Sequence, residues 1–306
     1  MEEVRVFCPA TIANISCGFD VLGLALDSVG DEMVVRKTIK KGVFITKIDG
    51  QNLPLQTEKN AAGVAGLALL EKSNYPGGFE IEIYKKIKPG SGIGSSAASS
   101  AGAVWAMDYL LGHPFTKTEL VTFAMEGERL ASEVAHADNV APALFGDFTL
   151  VRSYTPLDIV PIKAPEELYA TIIHPQIEVK TSDSRKILKT TLSMETAIKQ
   201  WGNVGGLIAG LLQNDYELIG RSLEDHIVEP IRSILIPGFD KVKKASLEAG
   251  ALGAGISGSG PSIFALCRGR DNAENVARTM KEVYVNIGVE HDIHVSKINH
   301  EGVRLV

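Results

Sequence analysis

The sequence predicts an α+β protein of two domains, and three observations carry that expectation. Its 306 residues exceed the roughly 100–200 residues usual for one domain. Pro156, Pro161 and Pro165 crowd into a short span near the middle, which puts a boundary near residue 155, with one unit over 1–155 and a second over 156–306. In the second unit, strand-like and helix-like stretches alternate in mixed order, the pattern of an α+β domain with a largely antiparallel sheet.

Val4-Arg5-Val6-Phe7 opens as a short strand, which Pro9 ends or deflects before an irregular segment from Thr11 to Gly23. Segments 32–37 and 43–48 read as strands around a turn at Lys40-Lys41-Gly42. Lys59 to Lys72 has helical spacing, whereas Phe79 to Tyr84 alternates apolar with charged residues, as a half-buried strand does. Residues 96–111 predict a helix of small residues that can lie close against neighbouring backbone. Thr116-Lys117-Thr118-Glu119 matches a capping box and starts a helix that runs to about Val134, with Leu120, Phe123, Gly127, Leu130 and Ala131 on one stripe. A strand over 147–152 closes the first unit. The second should contain a strand at 168–174, helices near 195–213, 215–227 and 238–249, a strand at 262–267, a helix at 273–286 and a strand at 291–298.

Composition narrows the function. A net charge of −6 and the lack of any Lys/Arg cluster disfavour a nucleic-acid partner. Cys8, Cys17 and Cys267 are too few and too scattered for a disulfide framework or a zinc site, which suits a reducing compartment. The chain opens Met1-Glu2-Glu3 without a signal-like segment, and no stretch holds eighteen uninterrupted apolar residues, so a soluble, cytoplasmic protein with no membrane partner is expected.

The strongest local signal is Pro89-Gly90-Ser91-Gly92-Ile93-Gly94-Ser95-Ser96-Ala97-Ala98, set between a strand and a helix. Glycines allow close backbone approach, and the free amides at the helix start favour an anion there. The helix dipole contributes only about 0.3–1 kcal/mol, so converging amides and the Ser95 and Ser96 hydroxyls must carry the binding. A P-loop would need a lysine after Gly94, and a dinucleotide fingerprint would need its third glycine three residues after the second; neither is present.

This stretch resembles the Pro-x-x-x-Gly-Leu-Gly-Ser-Ser-Ala-Ala signature of the GHMP kinases, the superfamily of galactokinase, homoserine kinase, mevalonate kinase and phosphomevalonate kinase, with Ile93 in place of Leu. Pro9 to Asp20, His136-Ala137-Asp138-Asn139-Val140-Ala141-Pro142 and Gly253 to Ser262 fall where its homoserine kinases have theirs, so the resemblance spans most of the chain. It implies an N-terminal domain with a left-handed βαβ unit, a ferredoxin-like C-terminal domain and ATP between them. The activity implied is ATP-dependent phosphorylation of L-homoserine, in threonine biosynthesis, by an enzyme that is often a homodimer.

By the same resemblance, Pro89, Gly90, Ser91, Gly92, Ile93, Gly94, Ser95, Ser96, Ala97, Ala98 and Ser99 wrap the ATP phosphates, and Ser96 with Glu128 holds Mg²⁺. Helical periodicity alone does not separate Glu128 from Glu126. Arg185 and Arg232 would take the homoserine carboxylate, with Asn14, Asp20, His136 and Asn139 around the amino group and the reacting hydroxyl. Taken singly, each of these residues reads as an ordinary surface or structural side chain. Mevalonate-kinase relatives have an aspartate base where this sequence has Asn139, and an amide takes no proton. The expectation is therefore catalysis by positioning and electrostatics, with Asp138 as the competing base. Gly253 to Ser262 is either a turn or a direct ligand contact. Other small-molecule kinases of the superfamily, and a nucleotide-binding protein without chemistry, are the alternatives.

Overall fold

The computed structural model describes residues 2–132, 135–177, 179 and 181–306. In chain order the elements are β1 (Glu3–Ala13), β2 (Leu22–Thr38), β3 (Gly42–Asp49), α1 (Ala61–Lys72), β4 (Gly78–Tyr84), α2 (Ser95–Leu111), α3 (Lys117–Ser132), α4 (Val140–Phe145), β5 (Phe148–Tyr154), β6 (Leu157–Ile162), β7 (Leu168–Pro175), α5 (Thr181–Lys186), α6 (Met194–Gln213), α7 (Tyr216–Ser222), α8 (Glu229–Arg232), α9 (Phe239–Glu248), β8 (Gly253–Ile256), β9 (Ile263–Arg268), α10 (Arg270–Ile287), β10 (His291–Lys297) and β11 (Arg304–Leu305). Among the described residues no helix is long and apolar enough to cross a membrane.

Two sheets organise the chain. The first runs β11-β1-β2-β4-β3, with β5 paired to β2 and β6 to β5; the second runs β10-β7-β9-β8. β3 and β4 are parallel and joined through α1, while every pair in the second sheet is antiparallel, with the strand order of a ferredoxin-like unit. Apolar residues of α1, α2 and α3 close one face of the first sheet, and this core continues without a break into Leu168, Ala170 and Ile172 of β7 and Leu207 and Leu211 of α6. Successive β7 side chains alternate faces, so Ile173 points into a second core with α9 and α10. There α10 presents Ala273, Val276, Met280 and Tyr284, all fully buried, at helical spacing. Each of the larger ones contributes roughly 1.5–3 kcal/mol.

Several expectations are corrected. Pro9 does not end the first strand: β1 continues to Ala13, and the register slips between Pro9 and Thr11, because a residue without an N–H is accommodated at a bulge. The boundary expected at residue 155 falls inside a hairpin, since β5 and β6 pair across it, and the chain leaves the first sheet only after Ile162. β11 also returns to pair with β1. The helix expected over 215–227 stops at Ser222, where the Asp225 carboxylate instead takes the amides of Ile227, Val228 and Glu229 at 2.8, 3.1 and 2.8 Å. Helix α3 begins at the expected capping box, with Thr116 N to Glu119 Oε2 at 2.8 Å and Glu119 N to Thr116 Oγ1 at 3.3 Å; Val134 lies outside the described residues.

Candidate functional site

The glycine-rich loop reaches its shape through positive φ at Gly90, Gly92 and Gly94, of 74°, 82° and 69°. A side chain would also collide: a Cβ on Gly92 would lie 2.5 Å from the Gly260 carbonyl, and one on Gly94 would lie 2.1 Å from Thr11 Oγ1. Gly94 caps α2 in the left-handed conformation, so Ser95 and Ser96 stand in its first turn. Three donors hold the loop carbonyls on one side. Ser262 Oγ donates to Ser91 O at 2.6 Å, Ser257 Oγ to Gly92 O at 2.7 Å, and Thr11 N to Ile93 O at 3.1 Å. In a trans peptide the N–H opposes the C=O, so the amides of Gly92, Ile93 and Gly94 are turned the other way.

The loop borders a cavity of about 650 Å³, lined on that side by Pro89, Gly90, Gly92, Gly94, Ser95, Ser96 and Ser99. The other expected loop residues do not line it: Ile93, Ala97 and Ala98 pack into the first core and Ser91 is buried. On the wall, the Ser96 hydroxyl hydrogen-bonds Glu128. Burial pushes the Glu128 carboxyl up to about 7, against the pull of that hydrogen bond and of the Lys85 charge. Glu126, by contrast, pairs with Arg129 at the surface, so the tertiary structure separates two glutamates that periodicity does not.

Lys85 lies beneath the loop. Its ammonium pairs with Asp31 and donates to Ser95 O at 2.9 Å and Ser99 Oγ at 3.1 Å, and both charged side chains are only 1% exposed. Asp31 Oδ1 in turn takes the amides of Lys86 and Ile87 at 2.7 and 2.9 Å. Sequence reasoning passed over this pair, because Lys85-Lys86 after a strand has the look of a solvated turn.

The far end of the cavity is charged. Asn14, Ile15 and Ser16 occupy consecutive positive-φ positions, at 70°, 40° and 55°, and Asp20 a fourth at 61°. Such conformations cost on the order of 1–3 kcal/mol each and persist only where surroundings impose them. Asn14 supplies part of that restraint, accepting from Asp20 N at 2.9 Å and donating to Gly258 O at 2.7 Å. Arg185 Nη2 donates to both Asp20 oxygens, at 2.7 and 2.8 Å, and to His136 Nε2 at 3.0 Å. His136 is therefore neutral on that nitrogen, in keeping with burial lowering its pKa. Arg232 is 3% exposed and donates to the carbonyls of Ser184 and Gly258, at 3.0 and 3.2 Å. It forms no ion pair among the described residues. Its pKa is pushed down to about 10, by burial first and then by Arg185. Both guanidiniums stand over the Phe19 ring, 5.3 and 5.0 Å from its centre. No local signal in the sequence marks Phe19 for this.

Asn139 and Asp138 lie between the two ends. Asn139 Oδ1 accepts from Thr11 Oγ1 at 2.8 Å. Asp138 is 4% exposed, its Oδ1 has no hydrogen-bond partner among the described residues, and burial, helped by Asp20 and Glu128, pushes its carboxyl up to about 8. One cavity thus gathers all eight residues expected around the metal and the acceptor: Asn14, Asp20, Ser96, Glu128, His136, Asn139, Arg185 and Arg232. Leu53, Pro54, Lys59 and Asn60, which the sequence did not single out, line it too. Gly253 to Ser262 divides between β8 and a turn that holds the glycine-rich loop.

The pattern of the GHMP kinases N terminal domain matches residues 59–147, and that of the GHMP kinases C terminal matches residues 207–286. A homoserine kinase of Chloroherpeton thalassium is 49% identical and one of Chlorobium phaeobacteroides is 46% identical, each over 100% of both chains. The crystal structure of homoserine kinase from Cytophaga hutchinsonii is 54% identical, superposes with a TM-score of 0.95, and is covered over 98% of its length by 100% of this chain.

Proposed function

Since this chain belongs to the homoserine kinases of the GHMP kinase superfamily, we propose that it moves the γ-phosphoryl group of ATP onto the side-chain hydroxyl of L-homoserine, with the residues of the cavity dividing binding and positioning between them. The observation that carries this reading is Arg232, a buried cation whose hydrogen-bond partners among the described residues are carbonyls, in the same cavity as Asp20 and the glycine-rich loop. A buried guanidinium without a carboxylate is stabilised by an anionic ligand, and a nearby acid suits the ammonium of the same molecule.

The amides of Gly92, Ile93 and Gly94 and the hydroxyls of Ser95 and Ser96 hold the phosphates of ATP. Ser96 and Glu128 fit a magnesium ion: they are hard oxygen donors side by side on the cavity wall, and burial makes the Glu128 charge costly in a way that a bound cation would offset. Bound Mg²⁺ supplies charge neutralisation on the phosphate oxygens. Arg185 and Arg232 take the substrate carboxylate, while Asp20, with Asn14 and His136 beside it, takes the ammonium. Asn139 has its carbonyl oxygen engaged by Thr11, so its amide N–H groups are the part that can orient the hydroxyl and the incoming phosphoryl group. The reaction then proceeds by positioning, with the hydroxyl proton passing to the transferred phosphoryl group or to solvent. Action in the cytoplasm as a homodimer belongs to the same reading, supported by the resemblance and by three buried, unbridged cysteines.

ADP release measured with homoserine, mevalonate and galactose, with and without magnesium, tests the proposal. Homoserine-dependent, magnesium-dependent turnover is expected. Preference for mevalonate would overturn the substrate, and ATP binding without substrate-stimulated turnover would make this a binding protein.

A further inference from the structure

In the proposed function Asp20 serves the substrate ammonium and Arg185 the carboxylate, and the inference drawn from their pairing rests on that assignment. In the structure they are bonded to each other, with one Arg185 nitrogen shared between both Asp20 oxygens at 2.7 and 2.8 Å. Arg232 is held differently. Its hydrogen-bond partners among the described residues are main-chain carbonyls from separate segments, Ser184 and Gly258, which fix its position without neutralising it. The charged end of the cavity therefore presents one anchored guanidinium and one guanidinium whose present partner is itself a recognition group.

We propose that the Asp20–Arg185 ion pair is the element that selects a zwitterion. The substrate ammonium replaces Arg185 on Asp20 while the substrate carboxylate replaces Asp20 on Arg185, so the pair opens and no charge is left without a partner. A molecule bearing only one of the two charges cannot make that exchange. γ-Hydroxybutyrate, which is homoserine without its ammonium, would draw Arg185 away and strand Asp20. Propanolamine, which is homoserine without its carboxylate, would occupy Asp20 and strand Arg185. In each case the uncompensated charge opposes binding, so the protein's own pair competes with the incomplete ligand.

The surroundings suit such an exchange. The pair is partly open, with the Arg185 and Asp20 side chains 35% and 28% exposed, so breaking it does not expel a deeply buried charge. Phe19 lies under both guanidiniums and offers Arg185 an apolar face that does not depend on its anionic partner. His136 lies beside both members, Nε2 at 3.0 Å from Arg185 and Nδ1 at 3.7 Å from Asp20.

The exchange predicts a gain of binding, which simple loss of a contact does not. Dissociation constants for homoserine, γ-hydroxybutyrate and propanolamine are measured by calorimetry with magnesium and a non-hydrolysable ATP analogue, on the unsubstituted chain and on Asp20→Asn and Arg185→Gln. Asp20→Asn should weaken homoserine yet tighten γ-hydroxybutyrate on the order of fivefold, because Arg185 is no longer claimed. Arg185→Gln should do the same for propanolamine. If both variants melt normally but their one-charge ligands bind no better than to the unsubstituted chain, the exchange is wrong. Homoserine turnover is recorded in the same series, so a chain that phosphorylates homoserine but fails the inversion loses only this inference.

Discussion

Thr11 Oγ1 donates a 2.8 Å hydrogen bond to Asn139 Oδ1, joining the end of β1 to the residue that opens α4. The bond fixes which end of the amide is available to a substrate. Asn139→Ala should lower kcat on the order of 10²-fold, the usual cost of one transition-state donor, with little change in the homoserine KM. Asp138→Asn should keep most of the turnover. The reverse result in steady-state kinetics, abolition by Asp138→Asn and near-normal rates in Asn139→Ala, would give the proton to Asp138.

The same aspartate should reveal itself in stability. Its carboxyl rises from 3.8 to about 8 in the fold, so between those values the native state holds a proton that the unfolded chain has released. The Asp138 contribution to stability therefore falls as pH increases from about 4 to about 8. Asp138→Asn removes this contribution. Urea unfolding should find the variant more stable at pH 8 by on the order of 1–2 kcal/mol, with the difference vanishing near pH 4.

Gly94→Ala sets a Cβ 2.1 Å from Thr11 Oγ1 at a φ of 69°. Both the cap of α2 and the Thr11–Asn139 bond must shift. ATP KM should rise at least about tenfold and kcat should fall as well, whereas Gly202→Ala, in α6 with nothing within 4 Å, should leave kinetics unchanged.

Ser257 and Ser262 hold the loop through its carbonyls, not through the ligand. Replacing both by Ala removes two neutral hydrogen bonds of about 1 kcal/mol each, so ATP affinity should drop on the order of tenfold while homoserine KM stays near its original value. Equal weakening of both substrates in initial-rate measurements would contradict a role confined to the loop.

Lys85→Met leaves the Asp31 carboxylate buried without its cation and should cost about 3–5 kcal/mol in chemical unfolding. Asp31→Asn combined with Lys85→Met should recover part of that loss, since neither charge then remains. A double variant less stable than Lys85→Met would show that the pair is not the source of the effect.

Much of this protein is written in short-range pattern. Alternation over Phe79–Tyr84, the capping box at Thr116 and the glycine spacing of 90, 92 and 94 each follow from local backbone sterics and side-chain periodicity, and they locate strand, helix and glycine-rich loop without a partner in view. The choice of Glu128, Arg185 and Arg232 rests on the family resemblance, not on a local pattern. What the chain's neighbours in space decided is burial and pairing. Pro156 reads as a break but turns a hairpin, because β5 pairs with both β6 and β2. Lys85 reads as solvated but is sealed beneath α2, and Arg185 finds its acid 165 positions away. Charge and desolvation depend on which groups meet across long sequence separations, and no window of neighbouring residues contains that information.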